Sequence, residues 1–211
     1  MPKIDLQNID CMQLMAQYPD KYFDLAICDP EYGIGASEMT MGSGKKKEYT
    51  KGKKWDTQPP AKEYFEEVFR VSKNQIIWGA NYFTDKLPVS KSWIFWDKCL
   101  NKDISFADGE LAWTSFDRVL KKANIQYSGF LGADKSRIHI TQKPIRLYEW
   151  ILRNYAKEGD LIFDPNFGSA SSAIAAHNLA FNYVGCEIDA EYFEAAKKRF
   201  DIHSSQLLIT L

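Results

Sequence analysis

Apolar positions along the chain fall into two spacings. "KIDLQNI" (3–9) alternates apolar with polar residues and predicts a strand. "FDLAICD" (23–29) is almost continuously apolar, as a strand buried on both faces requires. "QIIWG" (75–79), "SWIFWDK" (92–98), "ELAWTSF" (110–116), "DLIFD" (160–164) and "YVGCEI" (183–188) predict further strands. Helical spacing appears in "CMQLMAQY" (11–18) and in "AKEYFEEVFRVS" (61–72), where Tyr64, Phe65, Val68 and Phe69 share a face. "PIRLYEWILRNYA" (144–156) predicts a helix with Pro144 as its first residue. "SSAIAAHNLA" (171–180) and "AEYFEAAKKRF" (190–200) predict two more, the last with cations in its final turn. The second half therefore reads helix, strand, helix, strand, helix, the order of a mostly parallel sheet with helices on its faces. The expectation is one α/β domain over residues 1–211, with a long loop rich in Gly, Lys, Ser and Thr at 36–58.

Composition adds limits rather than direction. With 45% apolar and 26% charged residues, the chain has ordinary globular make-up. A formal net charge of −1 excludes a uniformly basic nucleic-acid binder. Charge is uneven, however: "KKKEYTKGKK" (45–54) carries six lysines and one glutamate. That stretch admits two readings, a solvated loop or a phosphate-contacting one. Cys11, Cys28, Cys99 and Cys186 form no CxxC pair and read as free thiols of a reducing compartment. His139, His177 and His203 show no metal-ligand spacing, so no metal is expected. No leader and no long apolar run is visible, which predicts a soluble, cytoplasmic protein without a membrane partner.

Chemistry concentrates in two turns, "CDPEYGIG" (28–35) and "DPNFGSAS" (164–171). Asp29 and Asp164 each close a strand and precede a proline, which makes a stiff corner at the carboxyl end of the sheet, where open parallel sheets bind ligands. In the second turn Gly168 permits close backbone approach before a helix amino terminus. The pattern is not GxGxxG. Glu187, ending the next strand, is placed for ribose hydroxyls. The residues thus suit an adenosine-containing ligand without a demanding pyrophosphate, or else an ordinary βαβ unit whose glycine serves packing.

Taken together, the motifs resemble the β-group of S-adenosylmethionine-dependent DNA amino-methyltransferases. "DPEY" (29–32) is similar to their DPPY catalytic motif, "DPNFGSASSAIAAHNLAFNYVGCEID" to their cofactor motif, and "HITQKPIRLYEWIL" to the HPTQKP segment before it. The order, catalytic motif first, implies a circularly permuted Rossmann-like fold with about seven strands and helices on both faces. The resemblance implies that Asp29, Pro30, Glu31 and Tyr32 form the catalytic turn. Asp29 and the Pro30 carbonyl would accept from the target amine, and Tyr32 would stack on a base flipped from double-stranded DNA. It implies cofactor contacts from Asp10, Cys11 and Asp29, from Asp164, Asn166, Phe167, Gly168 and Ser169, and from Glu187. His139, Thr141, Gln142 and Lys143 would close the site at the methionine end. The activity implied is methylation of adenine N6, with a cytosine-N4 or RNA enzyme, or a non-catalytic relative, as alternatives. The setting implied is a restriction-modification system.

Three departures matter. Glu31 stands for the second proline, Asn166 for a phenylalanine, and Ala170 for a glycine; Ile140 for proline is minor. Target recognition would fall to the lysine loop and to residues 97–138, a region short enough that a second protomer is a candidate helper. Within this resemblance Lys45, Lys46, Lys47, Lys51, Lys53 and Lys54 read as DNA contacts. Replacing several of them by Gln is expected to flatten the plot of log affinity against log salt by about 0.9 per lost phosphate contact, measured by fluorescence anisotropy with duplex DNA.

Overall fold

The computed structural model describes residues 1–35, 56–100, 107–127, 138–139 and 141–206. In chain order the main elements are β1 (Ile4–Gln7), α1 (Cys11–Met15), β2 (Phe23–Cys28), α2 (Lys62–Val71), β3 (Ser72–Trp78), β4 (Trp93–Asp97), β5 (Gly109–Thr114) and β6 (Lys121–Asn124). Then follow α3 (Ile145–Tyr155), β7 (Leu161–Asp164), α4 (Ser171–Asn178), β8 (Asn182–Cys186) and α5 (Ala190–Ser204). All strands join one sheet in the order β1-β8-β7-β2-β3-β5-β4-β6. β5 runs antiparallel to β3 and β4; every other neighbouring pair is parallel.

The strand count is eight, where about seven were expected. β6 is the strand that the hydrophobic pattern does not announce. Only Ala123 of its four residues is buried, so no apolar alternation marks it. It pairs with β4 from Ile94–Lys121 to Asp97–Asn124. β5 and β6 make part of the span 97–138 strands of the main sheet. A second, smaller correction concerns Pro144. It caps α3 in extended geometry (φ −71°, ψ 144°), and the helix begins at Ile145.

β2 has the burial that its apolar run demands. Leu25 and Ile27 face one apolar layer, and Ala26 and Cys28 the other. α1 and α2 cover the second layer with Leu14, Met15, Phe65 and Val68. α3, α4 and α5 cover the first with Leu147, Ile151, Ala173 and Ala196. The chain leaves β2 through α2 to β3 on one side, and leaves β7 through α4 to β8 on the other. β2 and β7 lie side by side, with Leu25 opposite Ile162 and Ala26 opposite Phe163. Strand order reverses there, and a crevice opens beyond their carboxyl ends. Among the described residues, no helix is long and apolar enough to cross a membrane.

β6 offers a direct check on the sheet assignment. Ala123→Glu places a carboxylate in the core and is expected to lower stability by about 3 kcal/mol or more, whereas exposed Lys121→Glu should change it by under about 0.5 kcal/mol. Urea denaturation of the two variants measures the difference.

Candidate active site

The first turn is held from outside its own sequence. The buried Asp56 carboxylate accepts from the backbone N–H groups of Gly33 (2.7 Å) and Ile34 (3.3 Å). The Asp56 carbonyl accepts from Gly35 N–H at 2.9 Å. Gly33 has φ +73°, and a Cβ there would sit 2.6 Å from Pro59 Cδ, so glycine is required. Asp56 belongs to the span 36–58 expected to be loop; residues 56–58 have no helix or strand, and Asp56 clamps the turn. Lys45, Lys46, Lys47, Lys51, Lys53 and Lys54 lie outside the described residues.

Asp29 sits in a buried ion cluster. Lys143 Nζ donates to Asp29 Oδ1 at 2.6 Å and to the Tyr32 hydroxyl at 3.0 Å, and lies 3.1 Å from Glu110 Oε2. Tyr32 in turn donates to Asp29 Oδ1 at 2.9 Å. Lys98 Nζ holds the other Glu110 oxygen at 2.8 Å. The Lys143 side chain is only 4% exposed. Lys143, expected among the cofactor contacts, lines the cavity and pairs with the Asp29 carboxylate. Both donors take the same oxygen of Asp29, so Oδ2 has no protein partner among the described residues. Burial holds the Asp29 carboxyl above its usual range, Lys143 opposes that, and Glu110 adds to the rise. For Glu110, burial also works against ionisation, but Lys143 and Lys98 together outweigh it and push the carboxyl down to about 2.

Tyr32 has a second constraint. Its ring lies against the backbone of Gly79 (φ +68°), where a Cβ would come within 2.1 Å of Tyr32 Cε1. The ring also stacks on Tyr82 at 5.3 Å and 21°. The strand-ending glycine of "QIIWG" thus makes room for the Tyr32 ring.

The second turn is built differently. Asp164 is fully buried; it accepts from Asn166 N–H at 3.0 Å and from the Ser172 hydroxyl at 2.6 Å. It does not line the cavity. Its carboxylate organises the loop rather than facing a ligand. Burial pushes that carboxyl up to about 7, despite the hydrogen bonds from Ser172 and Asn166. Asn166 receives the Tyr64 hydroxyl from α2 at 2.5 Å, a polar anchor in place of the expected aromatic contact. Gly168 (φ +50°) and Ala170 (φ +59°) are both left-handed. Ala170 holds that geometry without glycine's freedom, at a cost of about 1–2 kcal/mol. Arg199 of α5, almost buried, donates to the Ser169 carbonyl at 2.5 Å and fixes the loop from behind.

Both turns open on one cavity of about 970 Å³. Its wall includes Asp10, Cys11, Asp29, Pro30, Glu31 and Tyr32 from the first half of the chain. From the second half it includes His139, Thr141, Gln142, Lys143, Asn166, Phe167, Gly168, Ser169 and Glu187. The expected site residues are therefore brought together, Asp164 excepted. Several have local duties as well. Asp10 caps α1, accepting from Met12 and Gln13 N–H. Gln142 accepts from Ile138 N–H at 3.0 Å, and the His139 ring packs on Tyr192 at 4.5 Å. Among the described residues, Glu31 takes no part in the ion-cluster contacts of Asp29, Lys143, Glu110 and Lys98. Partial desolvation and the Asp56 and Glu187 carboxylates push its carboxyl up to about 7.

Residues 39–198 match the N6/N4 methyltransferase family model, described as DNA methylase. The chain belongs to this family. The Type II methyltransferase M.HpaI of Haemophilus parainfluenzae is 24% identical over 238 residues, covering 91% of this chain and 72% of the relative. M2.MboI of Moraxella bovis is 23% identical over 238 residues, covering 90% and 85%. The solved M1.HpyAVI–SAM complex is similar with TM-score 0.60 at 20% identity, covering 93% of this chain and 99% of that one. The cytosine-N4-specific PvuII DNA methyltransferase gives TM-score 0.62 at 14% identity, covering 100% and 89%. These structural likenesses speak for the Rossmann-like methyltransferase fold. The family is S-adenosylmethionine-dependent.

Sequence reading missed Glu110, Lys98, Asp56 and Tyr82 in this methyltransferase site. The one available signal was Gly79, a strand-ending glycine before an aromatic pair. Gly79→Ala is expected to displace the Tyr32 ring and lower kcat for methyl transfer by about 100-fold. The cost in stability should be only about 1–2 kcal/mol. Steady-state kinetics beside urea denaturation checks both.

Proposed function

We propose that the chain transfers a methyl group from S-adenosylmethionine to the N6 amine of a flipped-out adenine in DNA. One observation carries the reading. Lys143 and Tyr32 anchor one oxygen of Asp29, while its other oxygen has no hydrogen-bond partner among the described residues and lies beside a large cavity.

The cavity's donor set fits the cofactor. Glu187 at the end of β8 offers a carboxylate for ribose hydroxyls. Beside it Ile188, 66% exposed, offers apolar surface for an adenine ring. A Cβ at Gly168 would meet nothing closer than 4.0 Å, so the loop leaves open space there. Asp10, Cys11, Phe167 and Ser169 complete the proposed cofactor wall, and His139, Thr141 and Gln142 lie at its far end. When bound, the cofactor supplies an electrophilic methyl group on a sulfonium.

The acceptor amine is a poor nucleophile because its lone pair is delocalised into the ring. Asp29 Oδ2 and the Pro30 carbonyl accept its two hydrogens and draw the nitrogen toward tetrahedral geometry. They also stabilise the positive charge that grows there. Aligning nitrogen with the methyl group for in-line displacement supplies a large part of the rate. Asp29 is the residue nearest to receive the proton released afterwards. Tyr32 and exposed Tyr82 provide aromatic surface for the extruded base. Adenine rather than cytosine rests on the leading Asp of the catalytic turn, by family resemblance. Double-stranded DNA as partner rests on family membership and the lysine-rich stretch.

The test is transfer of a labelled methyl group to mixed-sequence duplex DNA, followed by nucleoside analysis. N6-methyladenine is expected, with Asp29→Ala lowering kcat by about 1,000-fold. Label in N4-methylcytosine would redirect the acceptor. No label in any nucleoside, with Asp29→Ala equal to the parent, would sink the reading.

A further inference from the structure

We infer that Glu110, paired with Lys98, is a positioning residue for the methyl transfer proposed above: it shares the Lys143 ammonium with Asp29 and keeps the buried cluster neutral. The geometry is a chain of four charges. Lys98 holds Glu110 Oε1 at 2.8 Å, and Glu110 Oε2 holds Lys143 at 3.1 Å. Lys143 holds Asp29 Oδ1 at 2.6 Å. The side chains are 17%, 23%, 4% and 18% exposed in that order, too enclosed for bulk water to screen them fully. Two positive and two negative charges sum to zero.

Neutrality matters because the reaction builds positive charge on the amine beside Asp29. Removing the Glu110 carboxylate leaves two lysines against one aspartate, a net +1 within a few ångströms of that nitrogen. It also gives Lys143 wholly to Asp29. Both effects weaken the aspartate as an acceptor for the amine. None of this needs Glu110 to touch the base or the cofactor; it acts through Lys143.

The arrangement has a signature in pH. Asp29 is faced by Lys143, by Glu110 from β5, by Tyr32 in its own turn, by Cys28 before it, by Tyr148 from α3 and by Asp164 from β7. Of these, Glu110 is the ionised carboxylate tied to Asp29 through a shared lysine. Taking away a neighbouring negative charge lowers a carboxyl pKa, so Glu110→Gln shifts the acid limb of kcat to lower pH even as kcat falls.

The experiment follows kcat, KM for DNA and the acid limb in the parent, Glu110→Gln, Lys98→Met and the double variant, with calorimetric binding of S-adenosylmethionine alongside. Glu110→Gln is expected to lose roughly 10–100-fold in kcat with cofactor affinity unchanged. The double variant restores a neutral cluster but not the sharing of Lys143, and is expected to recover the part of that loss due to net charge, which a purely packing role would not produce. An active parent with Glu110→Gln unaltered in kcat and acid limb, or with the two losses multiplying in the double variant, overturns the inference alone. A parent that transfers no methyl group overturns the function reading and the inference together.

Discussion

Two rungs of parallel pairing, Leu25 against Ile162 and Ala26 against Phe163, join the two halves of the sheet. The site depends on them. They set β2 beside β7, and each strand ends in an aspartate-proline corner. Phe23 and Phe163 stack across the same seam at 4.3 Å and 12°. Helices cover both faces of these strands, so the seam is dry and its hydrogen bonds do not compete with water. Because the chain departs from the seam in opposite directions, the described residues leave a cavity beyond the strand ends. The cavity follows from topology before any side chain is placed in it.

Acidic groups dominate what lines that space. Asp29, Glu31, Asp56, Glu110 and Glu187 all face it, with Lys98 and Lys143 as the ammonium groups among the lining residues. Both lysines belong to the Asp29–Glu110 side. On the Glu187 side, Asp56 and Glu187 lie close enough to Glu31 to raise its carboxyl. Glu31, the departure from the usual catalytic motif, adds to that side and not to the Asp29 cluster. The exchange therefore alters the electrostatics on the Glu187 side of the cavity.

Much of this was legible in the chain. Continuous apolar runs marked β2 and β7, alternation marked β1, and helical spacing marked α2 and α3, because burial acts on consecutive residues. Asp-Pro corners marked the two turns, because proline restricts its neighbours whatever the rest of the chain does. What stayed hidden depends on pairing across the fold. Glu110 reads as an ordinary polar start to a strand until Lys143 is placed beside it. Asp56 reads as loop until the N–H groups of Gly33 and Ile34 point at it. Asp164 carries the right motif, yet its carboxylate turns inward to Ser172. β6 has one buried residue, too few to leave a period. Motif resemblance thus named residues that line one cavity, while only the three-dimensional contacts separated those lining it from those that hold its wall.

The Asp56 clamp has a consequence for chain length. The chain leaves the catalytic turn at Gly35 and returns at Asp56, and the two are joined by the 2.9 Å bond from the Gly35 N–H to the Asp56 carbonyl. Whatever lies between them enters and exits through one closed gate. Lengthening or exchanging that excursion costs little loop-closure entropy, since doubling its length adds only about 0.6 kcal/mol. The turn beneath stays clamped meanwhile. A change of length between Gly35 and Asp56 therefore leaves the hydrogen bonds that clamp the Gly33–Gly35 turn in place.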